Sequence, residues 1–332
     1  MSERIAVLST SYPRAPGDAA GHFVESDVLA LVRAGHEVHV FAPADANRVV
    51  LAATEGAHVH WLGDHGAFGW PGAVPRLREN PARILGMCEF ALRAHQALRR
   101  SAPFARLQAH FLVPSGWPIA TLAFGRDTST EIELVGHGSD VRAFCRLLKP
   151  IRKRIARAWL YRRVRLRVTS HELAALLGEA NPELGPVLRV APSPLDVHGV
   201  PDRTTARREL GLHESGAVAL IVSRLIPDKR VERALQALAL LDGVSTIVVG
   251  DGPELAQLSA RFPDVRFTGR LPRSEALRFI AAADVLVSAS AKEGAPTVVR
   301  EARTLGVPVV AVAAGDLAAW ARSDSGLVLV NG

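Results

Sequence analysis

The sequence predicts an α/β protein built from two tandem Rossmann-like domains. Three observations point to it. Short apolar, strand-like segments alternate with helical stretches along the 332 residues, the pattern of parallel sheets joined by helical crossovers. The rhythm breaks once, at Ala191-Pro192-Ser193-Pro194-Leu195-Asp196, with a third proline at Pro201. Proline fixes φ and donates no N–H, so this stretch reads as a stiff connection rather than an element. The alternation then restarts, which sets expected domains at 1–193 and 194–332. Ligands of such sheets bind beyond the C-terminal strand ends. Two sheets facing across a cleft would offer loops on both rims.

The first strand is Ile5-Ala6-Val7-Leu8, followed by a loop rich in glycine and proline and a helix from about His22 to Ala34. Gly35 stops that helix and Glu37–Phe41 forms the next strand, since glycine takes the left-handed conformation that ends a helix. Further strands are expected at Ala57–Trp61, Leu107–His110, Glu131–Val135, Leu166–Thr169 and Val187–Val190. In the second half they fall at Ala217–Val222, Ser245–Val249, Val265–Thr268, Val285–Ser288, Val307–Val312 and Leu327–Val330, with helices near 228–241, 252–262, 273–283, 297–305 and 315–322.

Composition narrows the class. Apolar residues make up 48% and charged residues 22%, a globular balance with material for two cores. The net charge of +7 favours anionic partners, whether nucleotides, phospholipids or nucleic acid. Cys88 and Cys145 are too few for a disulfide framework and lack metal-ligand spacing. They read as free thiols of a reducing cytoplasm. The N-terminus shows no signal-peptide run and no stretch approaches a membrane span. The expected location is therefore cytoplasmic, or peripheral on the inner face of the membrane. Arg152, Lys153, Arg154, Arg157, Arg162, Arg163, Arg165 and Arg167 crowd together without an acid, interleaved with Ile151, Ile155, Ala158, Trp159 and Tyr161. Two readings compete: a solvated helix face with snorkelling stems, or an electrostatic contact with anionic lipid headgroups or an acceptor phosphate. No nucleic-acid recognition motif accompanies the charge, so nucleic acid is not expected.

The chemistry concentrates in loops after strands. In Ala289-Ser290-Ala291-Lys292-Glu293-Gly294-Ala295-Pro296-Thr297-Val298-Val299-Arg300-Glu301, a helix is expected to start at Pro296, with Ala295 as its cap. Alanine offers no side-chain acceptor, which leaves the first N–H groups for an anion. Glu293 lies on the loop and Glu301 about one turn into the helix. Both are acceptors suited to sugar and ribose hydroxyls. Arg224 and Lys229 flank the loop Ser223–Arg230, where two cations would stabilise a departing diphosphate. Val249-Gly250-Asp251-Gly252-Pro253 is a glycine-rich strand-to-helix turn, and Thr268-Gly269-Arg270-Leu271-Pro272 a backbone edge for a nucleobase. In the first half, His137 sits between Gly136 and Gly138, followed by Ser139-Asp140. His110 closes an earlier strand, where a structural role is as plausible as an acceptor-side one. The loop from Tyr12 to His22, with Gly17 and Gly21, opens the first helix and could admit phosphate.

Taken in order, these segments resemble the GT-B fold of retaining glycosyltransferases, nearest to glycosyltransferase family 4, also called group 1. Glu293 and Glu301, with seven residues between them, resemble that family's paired glutamates. Ser223-Arg224-Leu225 with Lys229, Val249–Pro253, Thr268-Gly269, Ala283-Asp284-Val285, Gly136–Asp140 and Gly35-His36-Glu37-Val38 occur in the family's order. The resemblance implies an enzyme that moves a sugar from a nucleotide-sugar donor to an acceptor: a lipid, a glycan or a small molecule. It implies donor binding by the second domain and an acceptor side in the first, with Asp140 and His110. Glu301 would hold the ribose and Glu293 the sugar. Arg224 and Lys229 would hold the diphosphate. Gly294, Ala295, Pro296, Thr297 and Val298 would support phosphate or sugar, and Gly250, Gly269, Arg270 and Leu271 would line the donor. His137 would contact the transferred sugar, and the Gly17–Gly21 loop would border donor and acceptor. Front-face attack assisted by the donor phosphate then needs no cofactor and no metal.

The family's paired glycines of the N-terminal loop are here separated, Gly17 from Gly21. Ala302-Arg303-Thr304 stands where the family usually has Ala-Met-Ala. Its late Gly-Gly-x-x-Glu is replaced by Ala313-Ala314-Gly315-Asp316-Leu317. The sequence stops at Gly332, short of the usual crossing helices. These departures support the competing expectation of a non-catalytic GT-B domain that binds nucleotide sugar or a partner protein. The glutamate spacing argues against a GT-B epimerase, and no pyridoxal-lysine signature suggests a phosphorylase.

Overall fold

In the computed structural model, residues 2–15, 18, 20–44, 54–69, 73–124 and 129–331 are described. The chain divides into two compact units, Met1–Pro194 and Leu195–Gly332. Unit 1 holds β1 (Arg4–Leu8), β2 (Glu37–Ala44), β3 (Ala57–Gly63), β4 (Arg106–His110), β5 (Glu131–Gly136), β6 (Arg165–Val168) and β7 (Leu188–Val190). They form one parallel sheet in the order β3-β2-β1-β4-β5-β6-β7. Unit 2 holds β8 (Ala217–Val222), β9 (Val244–Val249), β10 (Arg266–Gly269), β11 (Val285–Ser288), β12 (Val309–Val312) and β13 (Leu327–Val330). Its parallel order is β10-β9-β8-β11-β12-β13.

Alternate side chains of a strand go to opposite faces, and a central parallel strand is covered on both. In β8, Val218 and Leu220 join Leu277, Ile280, Val299 and Val309 on one face. Ala219 and Ile221 join Val231, Leu235 and Leu258 on the other. In β1, Ala6 and Leu8 pack with Phe90, Leu98 and Leu107, while Val7 packs with Val24, Val28, Val38 and Val40. These unbroken apolar runs made the strands readable.

The differences lie at element ends. The expected strand Val307–Val312 begins at Val309, after Pro308, which has no N–H to give a ladder. The helix expected over 228–241 is Val231–Leu238. A short 3-10 turn at Pro227–Lys229 precedes it, and Arg230 turns left-handed at φ 48°. The helix expected over 315–322 is only Leu317–Trp320. The helix near Pro296 starts at Thr297 with Pro296, not Ala295, as cap, because Pro296 keeps an extended ψ of 114°. A helix at Arg203–Glu209 was not expected; Asp202 caps it by accepting from the Thr205 amide at 2.9 Å.

That helix seats Arg207, which is fully buried. Its guanidinium donates to Asp284 Oδ2 at 2.6 Å and to the carbonyls of Ala282, His213, Glu214 and Gly216 at 2.9–3.1 Å. Asp284 also accepts from the Val218 amide at 2.7 Å. One buried cation thus ties the first helix of unit 2 to the starts of β8 and β11.

The basic stretch divides. Arg152 donates to the carbonyls of Cys145, Leu147 and Ala180. Arg162 is buried, Arg165 pairs with Glu131 at 2.9 Å, and Arg167 is buried against Asp27 at 2.9 Å. Lys153, Arg154, Arg157 and Arg163 stay exposed. Both cysteines carry free thiols. Among the described residues no helix is long and apolar enough to cross a membrane.

Replacing Arg207 with methionine should lower the unfolding free energy by about 3 kcal/mol, since the buried hydrogen bonds to Asp284 and to four carbonyls are lost. Urea unfolding at neutral pH measures it; a change under about 0.5 kcal/mol would show the network to be dispensable.

Candidate functional site

In unit 2 the sheet order reverses between β8 and β11, because β8 leads outward to β9 and β10 while β11 leads to β12 and β13. Such a switch point, beyond the carboxyl ends of the strands, is where ligands of open α/β sheets bind. The loop after β8 brings Lys229 and the loop after β11 brings Glu293. Their side chains meet at 2.5 Å and are both mostly buried. Arg224 is exposed on the β8 side.

The glycines expected here act through backbone proximity. Gly250 has φ 145°, and a Cβ on it would stand 1.8 Å from the Ser223 carbonyl oxygen. Gly252 has φ 158°, with the Leu225 carbonyl oxygen 2.3 Å from any Cβ. Only glycine tolerates such approach and such φ together. The loops are also laced: Leu225 N donates to Asp251 O at 2.9 Å and Gly250 N to Gly269 O at 2.9 Å. Gly269 lies in the left-handed region and Arg270 is exposed, whereas Leu271 packs partly on the core.

The Glu293 loop is held from both sides. Ala291 N donates to Asp228 O at 2.8 Å, and Asp316 N donates to Gly294 O at 3.1 Å. Gly315 has φ 56°, and a Cβ there would be 2.3 Å from Gly294 O. The departure Ala313–Leu317 thus keeps the one glycine that backbone approach requires. Beyond Gly294, Ala295 and Pro296, the helix opens at Thr297 and Val298 with no side-chain cap on its first amides.

Glu301, on the same helix, is 7% exposed. Its Oε1 accepts from Arg273 Nη2 at 2.7 Å, and Arg273 Nη1 donates to Asp196 O at 2.7 Å. The sequence reading missed Arg273, taking it only as a helix start. The usable signal was indirect: a carboxylate this buried needs a cation.

In unit 1, His110 ends β4 and His137 directly follows the adjacent β5. His110 is fully buried, and its ring stacks on His137 at 5.1 Å and 11°. Phe23 and Phe111 flank His137 at 4.5 and 5.1 Å. Phe23 follows Gly21, whose φ of 76° lets the chain pass 2.5 Å from Ser11 O, measured from where a Cβ would be. Gly17 lies outside the described residues. Asp140 is buried, and its two oxygens accept from the amides of Leu112 (2.8 Å), His137 (3.0 Å) and Gly138 (2.9 Å). It clamps the histidine loop. Burial raises its pKa against those three amides and that of Val141.

A relay sets the tautomer of His137. Glu133, paired with Arg189, accepts Gln108 Nε2–H at 2.8 Å. A carboxylate only accepts, so Gln108 turns its oxygen to His110 Nε2, 3.2 Å away. His110 Nε2 therefore carries its proton and Nδ1 a lone pair. His137 Nε2, 2.9 Å from that Nδ1, must donate. His137 is left with an accepting Nδ1.

Burial, reinforced for His110 by Arg167 and for His137 by His110, drives both histidines well below their ordinary pKa. The unfolded chain takes up their protons below about pH 6.5. The folded chain does not, so this stability is full above pH 6.5 and falls as pH drops. The expected slope is about 1.4 kcal/mol per pH unit per histidine. Urea unfolding between pH 7 and 5 should show it, and His110→Asn should flatten it by one such increment; an unchanged slope would contradict the assignment.

Residues 202–331 match the family model "Glycosyl transferases group 1". The chain is 31% identical over 211 residues to the putative teichuronic acid biosynthesis glycosyltransferase TuaC of Bacillus subtilis, covering 63% of this chain and 53% of that protein. It is 40% identical over 111 residues to a GDP-mannose-dependent alpha-mannosyltransferase of Mycolicibacterium smegmatis, covering 32% and 29%. The chain therefore spans about half or less of these curated relatives. Among solved structures, sucrose-phosphate synthase of Thermosynechococcus elongatus superposes with TM-score 0.76 at 20% identity, over 99% of this chain and 86% of that one. Anabaena HepE in complex with UDP and glucose gives TM-score 0.68 at 19% identity, over 99% and 86%. Residues 202–331 thus carry the match to the group 1 glycosyl transferases, and the chain's two Rossmann-like units are those of the GT-B fold.

Proposed function

We propose that the protein is a retaining glycosyltransferase that takes a sugar from a nucleotide-sugar donor bound by unit 2. The observation that carries it is the meeting of Lys229 and Glu293 across the β8–β11 switch point. A cation and a carboxylate there match the two halves of a donor, anionic diphosphate and hydroxyl-bearing sugar. On binding, Lys229 exchanges Glu293 for diphosphate oxygens, joined by Arg224 and the first amides of Thr297–Thr304. Glu293 then accepts sugar hydroxyls. Glu301, oriented by Arg273, accepts from the ribose hydroxyls. Gly250, Gly269, Arg270 and Leu271 border the nucleotide, and His137 Nδ1 accepts a sugar hydroxyl.

The acceptor hydroxyl attacks the anomeric carbon on the face the diphosphate leaves. The C–O bond to phosphate breaks, and the acceptor proton passes to the departing phosphate oxygen. The leaving group gains charge as it departs, so Lys229 and Arg224 act more strongly in the transition state than before it. No protein base, cofactor or metal is required for that step. The acceptor is a hydroxyl compound held on unit 1.

A cytoplasmic location and peripheral attachment to an anionic membrane belong to the same reading. Leu148, Ile151 and Tyr161 are exposed beside Lys149, Lys153, Arg154 and Arg157, a combination that suits headgroups and upper acyl chains. Such binding should weaken sharply with salt; liposome co-sedimentation that ignores lipid charge would remove this part.

Nucleotide release from a panel of donors tests the transferase itself. Glu293→Ala should abolish release and Lys229→Ala should lower kcat about 100-fold. Glu301→Ala should raise donor KM more than it lowers kcat. Donor binding with no turnover on any acceptor would favour a non-catalytic domain instead.

A further inference from the structure

β3 is an edge strand, and its first half is His58-Val59-His60. The register sets His39 of β2 opposite His58 and Phe41 opposite His60. Residues opposite each other in a parallel ladder share a face, as do Glu37, His39 and Phe41 along β2. Three imidazoles and a carboxylate are therefore gathered on one face of the sheet edge. The rings lie almost flat on each other. His39 and His58 stand 4.9 Å apart at 27°, His39 and His60 5.3 Å at 15°, and Phe41 and His60 4.6 Å at 9°.

We propose that Glu37, His39 and His58 form a binding site for a divalent transition metal, zinc in the first place, separate from the donor-binding loops of unit 2. One ligand atom from each residue lies within 4.8 Å of the other two. Bonds of about 2.0–2.1 Å from a tetrahedral zinc set ligand atoms about 3.3 Å apart, so modest side-chain rotation closes the set. His39 Nε2 and Glu37 Oε1 are already 2.8 Å apart. His39 is buried while Glu37 and His58 are exposed, so an ion enters from solvent and a water completes its shell. Two imidazoles and one carboxylate form a zinc-type donor set.

His60 supplies the outer support that metal-bound histidines usually have. With the ion on His39 Nε2, the remaining proton of that ring sits on Nδ1, which lies 3.0 Å from His60 Nε2. Binding moves the His39 proton from Nε2, where it faces Glu37, to Nδ1, where it faces His60, and leaves Nε2 and the Glu37 oxygen to the ion. Arg4 Nε lies 3.0 Å from the same Glu37 oxygen, so the ion competes with that surface pair. The pair has little to lose, since both its side chains are solvent-screened. The bound ion would cross-link β2 to the edge strand and shield an otherwise open ladder end.

The test uses tag-free, chelator-stripped full-length protein titrated with Zn²⁺ by calorimetry. One ion per chain is expected. His58→Ala and Glu37→Gln should each weaken binding at least tenfold. His60→Phe keeps the stacked rings and all three ligands, and should weaken binding about tenfold through lost support alone. Zn²⁺ at a hundredfold excess over Kd should raise the unfolding temperature of wild type by about 5 °C and that of His58→Ala far less. Co²⁺ should give the intense visible bands of a tetrahedral site in wild type only. Chelated variants that melt with wild type establish that the fold is intact. Absence of Zn²⁺ binding, or equal binding by wild type and His58→Ala, overturns the proposal.

Discussion

The loops beyond the strand ends of unit 2 depend on backbone lying against backbone. Ser223 and Leu225 run so close beneath Gly250 and Gly252 that a single methyl at either position would collide with a carbonyl oxygen. The same holds where Gly315 passes under the Glu293–Gly294 loop. These contacts fix the course of loops that have few large side chains of their own. Once the course is fixed, Lys229 and Glu293 face each other. Positioning comes from excluded volume first and from charge second.

Unit 1 uses a different device. Its histidines are oriented by a line of hydrogen bonds that starts at the Arg189–Glu133 pair and passes through Gln108. Asp140 adds a second constraint by holding the amides of His137 and Gly138. A relay of this kind is stiff because each member has one way to satisfy its neighbour. Buried polar groups left unpaired would carry a cost of about 1–3 kcal/mol each.

Much of the fold was legible because central parallel strands are apolar on both faces, so Ala217–Val222 and Val285–Ser288 appear as unbroken runs. Boundaries set by single residues were not. Arg230 turns left-handed without being glycine, and the short helix at Arg203–Glu209 hides in a polar stretch just after three prolines. At the site, Glu293, Glu301, Arg224 and Lys229 stood out as charges in loops after strands. Arg273 did not, since its partner lies 28 residues on and nothing in the local pattern marks the pairing. Gly315 was readable as a departure from the family pattern, but its closeness to Gly294 is a tertiary fact. The histidine ladder of β2 and β3 escaped for the same reason: only strand register sets His39 opposite His58.

The relay ending at His137 has a consequence for what the site can discriminate. Because a carboxylate at one end can never donate, every proton along the line is committed in one direction, and His137 is left offering only a lone pair. Any ligand atom that settles against Nδ1 must bring its own hydrogen. An ether, a carbonyl or a fluorine of the same size would set lone pair against lone pair. A charged carboxylate some three side chains away thus decides the polarity of the group that the ring accepts.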